Sequence, residues 1–92
     1  MNSSTLQFFV REPSNGKTLV FNLPPYTTLK DFIEHITDKT GWPSRYFFLM
    51  KSGRPISMHT ENDLNKTLND LQITNETTVT CMGKLYHRKE QE

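Results

Sequence analysis

The feature that most limits what this chain can fold into is a change of hydrophobic period at Pro24-Pro25. Before it, apolar residues alternate as Leu6, Phe8 and Val10, then as Leu19, Phe21 and Leu23. After it they fall at Leu29, Phe32, Ile33 and Ile36, the spacing i, i+3, i+4, i+7. Alternation lines one face of a strand, and a repeat of about 3.6 residues lines one stripe of a helix. The pattern predicts a hairpin of two strands, near Leu6–Glu12 and Lys17–Leu23, with Pro13-Ser14-Asn15-Gly16 as the turn. Consecutive prolines cannot continue a paired strand, so the chain must leave the sheet there. An amphipathic helix follows at once, with Thr27 or Thr28 as its cap, Asp31 near its positive end, Gly41 as its stop and Pro43 blocking re-entry.

The remaining segments are shorter. Arg45–Lys51 is predicted as a third, aromatic-rich strand, Ser52-Gly53-Arg54 as a tight turn, and Pro55-Ile56 as a short edge strand. Thr60 to Leu71 has helical spacing at Leu64, Leu68 and Leu71, with Thr60 and Asp63 approximating a capping box, and is predicted as a second helix. Thr77–Met82 is β-branched and alternating, a last strand. The expected layout is a flexible leader at 1–5, one domain at 6–85 and a polar tail at 86–92.

Ninety-two residues leave room for one core, and a domain of this size buries roughly 60–65% of its extended-chain surface. Six phenylalanines supply that core. Eleven Lys and Arg are interleaved with ten Asp and Glu, for a net charge of +1, which gives no field to favour nucleic acid or an anionic membrane. Cys81 is the only cysteine and can form neither an internal disulfide nor a thiolate zinc site. With no signal peptide or membrane-length apolar run, the expected location is cytoplasmic or nuclear. His35, His59 and His87 fall on separate segments without metal-ligand spacing, and no glycine-rich phosphate loop is present. These residues predict no cofactor, no metal and no catalytic constellation.

In chain order the segments resemble ubiquitin and its relatives. Leu6-Gln7-Phe8-Phe9-Val10 with Gly16-Lys17-Thr18 is similar to that family's first hairpin, and Thr28-Leu29 with Asp38-Lys39-Thr40-Gly41-Trp42-Pro43 to its helix and helix exit. Leu49-Met50-Lys51-Ser52-Gly53-Arg54 resembles the strand and glycine turn that carry its main recognition patch. Thr67-Leu68-Asn69-Asp70-Leu71-Gln72-Ile73 and Glu76-Thr77-Thr78-Val79 resemble its late turn and last strand. The resemblance implies an α+β fold of the β-grasp type: a mixed four- or five-stranded sheet on one main helix, with a second short helix. Conjugated relatives end in two glycines, whereas this sequence continues Met82-Gly83-Lys84-Leu85 with no glycine pair. The implied function is thus a non-conjugated ubiquitin-like interaction domain of the ubiquitin and proteasome pathway. A longer native chain ending in such a pair would instead make it a covalent modifier.

Strand parity then places the contacts. Phe47 and Leu49 have core parity, which turns Phe48 and Met50 outward; with Val79 and Cys81 inward, Thr80 and Met82 face out beside them. Phe48, Met50, Thr80 and Met82, with Gly53 at the rim, are predicted to form an apolar patch on the surface that ubiquitin relatives use for partners. Phe9, outward beside Val20, is a second candidate contact. The competing expectation is that the long connection after Ile56, or the tail through Leu85 and Tyr86, covers the patch. The expected partners are ubiquitin-binding domains, proteasome receptors or deubiquitinases, met by a monomer. A β-grasp module of another branch would instead pair its second strand, Lys17 to Asn22, with a small GTPase.

Overall fold

The computed structural model describes residues 5–12 and 16–83. Residues 1–4 of the predicted leader, the turn residues Pro13-Ser14-Asn15, and residues 84–92, which hold the end of the predicted domain and its tail, lie outside the described residues. A five-stranded mixed sheet in the order β2-β1-β5-β3-β4 packs on one helix. Its strands are β1 (Leu6–Arg11), β2 (Thr18–Leu23), β3 (Phe47–Lys51), β4 (Arg54–Pro55) and β5 (Thr78–Gly83). The main helix is α1 (Leu29–Thr40), and a single turn, α2 (Glu61–Leu64), precedes β5.

The period switch works as the residues require. β1 and β2 pair antiparallel with Phe8 opposite Phe21 and Val10 opposite Leu19. The Thr28 hydroxyl accepts the Asp31 N–H at 3.2 Å to cap α1, and Leu29, Phe32, Ile33 and Ile36 are its buried residues. Gly41 ends the helix at φ 81°, its N–H donating to the Thr37 carbonyl at 2.8 Å. Beneath α1, the rings of Phe8, Phe21 and Phe32 meet with centroids 5.4–5.9 Å apart, two of the three pairs edge to face. Phe47, Leu49, Val79 and Cys81 close the other half of the core from the sheet's inner face. Trp42 lies half-buried against that core just past the helix, as a plug at its exit.

β1 and β2 shift by one residue at one end and β5 at both, and three further elements differ from expectation. The third strand begins at Phe47, because Ser44–Tyr46 form a 3₁₀ turn with the Tyr46 N–H donating to the Pro43 carbonyl at 3.0 Å. The short edge strand is Arg54–Pro55, one residue earlier than predicted. The predicted second helix stops at Leu64. The Leu29 N–H donates to the Lys66 carbonyl at 2.7 Å and the Leu68 N–H to the Thr27 carbonyl at 2.9 Å. These bonds tie the segment to the start of α1 as a Thr28–Thr67 bridge, so it cannot continue coiling. Leu68 still reaches the core, but from a turn.

Candidate functional site

β3 and β5 run antiparallel with Phe48 opposite Met82 and Met50 opposite Thr80. The inward neighbours Phe47, Leu49, Val79 and Cys81 are buried, so these four side chains stand together on the sheet's other face. Met82 is 39% exposed, and Phe48, Met50 and Thr80 are half-buried. Gly53 sits at the end of this face in the β3–β4 turn, at φ 78° after Ser52 at φ 55°. The left-handed pair at Ser52-Gly53 lets β3 reverse within two residues and keeps the rim low.

Phe9 does not join this cluster. It pairs with Val20 on one side and Thr78 on the other, and Val20 is 48% exposed. Arg11, opposite Thr80 in the register, stands on the same face next to the Met50 row. Sequence spacing carries the signal for this position, since continuing the alternation from Phe8 and Val10 places Arg11 on the outward face with Phe9. The outer face thus holds one apolar cluster on β3 and β5, a cation beside it, and a smaller apolar spot on β1 and β2.

The connection from Ile56 packs Ile56, Met58 and Leu64 against the core. Asp63 holds that path: its Oδ2 accepts the Ser57 hydroxyl at 2.7 Å and the N–H groups of His59 and Thr60 at 3.2 and 3.3 Å. The Thr60 hydroxyl accepts the Asp63 N–H in return at 3.0 Å, completing the capping box. The Ser57 hydroxyl, and next the Thr60 N–H, stabilise the carboxylate and lower its pKa from about 3.8 to about 2. The tail, the other predicted cover, lies outside the described residues.

Between this connection, α1 and the ends of β3 and β5 runs an open groove of about 1130 Å³. Ile33, Phe48, Ile56, Met58, Leu64 and Met82 line it, so the outer-face cluster and the groove share Phe48 and Met82. Among the described residues no three of His, Cys, Asp or Glu come together as metal ligands. Cys81 is buried, and desolvation, with a smaller contribution from Glu12, pushes its thiol up to about 12. What the geometry offers is contact surface.

Among solved structures the chain is similar to a de novo design based on ubiquitin, with 21% identity and a TM-score of 0.73 over 91% of this chain and 94% of that one. The likeness shows the fold. That fold is the ubiquitin-like one: a mixed sheet on one main helix. No curated protein matches the chain. The family model of the UBX domain matches residues 2–81, and the chain belongs to that family, which is an interaction family and not a catalytic one.

Proposed function

We propose that this domain is a non-conjugated docking module of the ubiquitin pathway that holds a protein partner on its outer sheet face. Met50 and Met82 are the main contacts, with Phe48 beside them, Thr80 across from Met50 and Gly53 at the rim. The register that sets Phe48 against Met82 and Met50 against Thr80 carries this reading, because it gathers four outward side chains from two strands into one surface. Clustered apolar side chains of this kind hold most of the energy of an interface, and methionines adapt to more than one partner. Arg11 would meet an acidic group on the partner, and Phe9 would extend the contact toward β2.

UBX domains typically bind an AAA ATPase of the Cdc48 type, which makes that ATPase the first partner to try. Proteasome receptors, deubiquitinases and small helical ubiquitin-binding domains follow from the wider resemblance. All would place the domain in the cytoplasm or nucleus. Charging the face by Met50→Asp and Met82→Asp together is expected to weaken partner binding about thirtyfold or more while the thermal midpoint stays within a few degrees. Undiminished affinity in the folded double variant would overturn the reading. A second reading is favoured by the place of β2 at the sheet's edge, where a small GTPase could add a strand. A titration with a GTP-loaded GTPase that shifts Leu19 to Asn22, and leaves Met50 and Met82 unmoved, would select it.

A further inference from the structure

Beyond the sheet face, we propose that the groove between α1 and the Ile56–His59 connection is a second docking site. Its occupant is a short segment of a partner protein that presents one bulky apolar side chain beside a carboxylate. The first argument is a missing side chain. The alternation of β5 puts Val79, Cys81 and position 83 on the inward face. Val79 and Cys81 are buried there, but position 83, paired with Phe47, is glycine. Side chains at 79 and 81 therefore fill the layer between helix and sheet, and residue 83 has none to add to it. Ile33, Ile56, Met58 and Leu64 remain as apolar walls of the groove, and Gly83 lines it. Protein interiors are close-packed, so an apolar side chain inserted from outside would complete the layer.

The rim supplies the second argument. Lys30 from α1, Arg45 from the 3₁₀ turn and His59 from the connection line the groove, against Glu34 as its one carboxylate. The two cations, Lys30 and Arg45, come from separate elements and outnumber that carboxylate, and this excess of positive charge selects an acidic neighbour for the apolar anchor. The volume gives the third. About 1130 Å³ is more than the roughly 300–1,000 Å³ typical of small-molecule sites, and the groove is open, which suits a polypeptide segment. The Asp63 hydrogen bonds to Ser57, His59 and Thr60 hold the connection before any partner arrives, which lowers the ordering cost of binding. The chain's own Lys84-Leu85-Tyr86-His87-Arg88-Lys89 is a poorer occupant, because its apolar pair is flanked by cations.

The test is isothermal titration of the full chain with two ten-residue peptides. One carries a central Leu-Phe pair between Asp and Glu residues; its twin carries Lys at every acidic position. The acidic peptide is expected to bind roughly tenfold tighter or more, and the double variant Lys30→Glu with Arg45→Glu to reverse that order. Gly83 lies in the strand β5, so Gly83→Leu adds a side chain at a strand position and is expected to lower acidic-peptide affinity at least tenfold. Met50→Asp is expected to leave it unchanged, which separates failure of this site from failure of the sheet face. In the unaltered protein the methyl signals of Ile33, Ile56 and Met58 should shift on titration while that of Met50 stays in place, a readout that needs no variant. Equal binding of the two peptides, full affinity in folded Gly83→Leu, or shifts confined to Met50 would overturn the proposal. So would a tenfold gain in affinity on deleting residues 84–92, which would make the tail the occupant. A dimer in sedimentation that the peptide dissociates would make it a second copy.

Discussion

The first and later halves of this domain are held in different ways. In β1, β2 and α1, apolar side chains repeat at the period of their element, and Phe8, Phe21 and Phe32 interlock beneath the helix. From Ile56 to Thr77 there is one helical turn; Leu68 and Ile73 anchor the segment in the core, and around them short polar side chains bond their own backbone. Asp63 gathers Ser57, His59 and Thr60, Thr67 and Asp70 cap each other, and the Thr77 hydroxyl accepts the Thr74 N–H at 2.9 Å. The left-handed residues Gln72 and Glu76 also fall here, at φ 62° and 69°. Packing sets the stability of the first half, whereas local hydrogen bonds set the path of the second, and that path makes one wall of the groove.

The contrast can be broken most forcefully at Phe32, which is fully buried. Phe32→Ala is expected to cost about 3–5 kcal/mol in a denaturant melt, enough to unfold a domain of this size at moderate temperature. A loss below 1 kcal/mol would mean the ring cluster does not govern the first half. Thr60→Ala removes one arm of the capping box and is expected to cost about 1 kcal/mol, with the largest gain in amide exchange confined to residues 57–65. Uniform loosening of the whole chain would erase the distinction between the halves.

Glu76→Gly relieves a left-handed backbone at φ 69°, and the relief exceeds glycine's entropic penalty, so stability is expected to rise by roughly 0.5–1 kcal/mol. A fall in the melting midpoint would count against that turn. The smallest effect concerns acid. The Asp63 carboxyl titrates near 2 in the native protein and near 3.8 when unfolded, so its contribution is complete above about pH 4 and fades as pH drops toward 2. Asp63→Asn is expected to flatten that part of the stability–pH curve and lower the plateau above it. An unchanged acid limb would show that the Ser57 and backbone bonds do not stabilise the charged form.

The same contrast explains what could be read in advance. β1, β2, α1 and the parity of Phe48, Met50, Thr80 and Met82 follow from spacing and punctuation, which are local properties of the chain. The second helix was over-extended because Leu64, Leu68 and Leu71 satisfy a helical period, while the bonds from Leu29 to Lys66 and from Leu68 to Thr27 leave no periodic trace. The 3₁₀ turn at Ser44–Tyr46 was hidden for a similar reason, since Arg45 and Tyr46 suit a strand as well as a turn. Nor could spacing disclose the groove. Its walls come from α1, β3, the connection and β5, where Gly83 lacks a side chain. Arg11 follows Phe9 by two residues in the same outward alternation, a local property of the chain.

The central claim is that the outer face of β3 and β5 binds the partner. Isothermal titration of the Met50→Asp, Met82→Asp double variant with a Cdc48-type AAA ATPase, beside a thermal melt of the same sample, tests it most directly. The account predicts that the unaltered domain binds, and that the folded variant binds about thirtyfold more weakly or not at all. A folded variant that binds as tightly as the unaltered protein would contradict it.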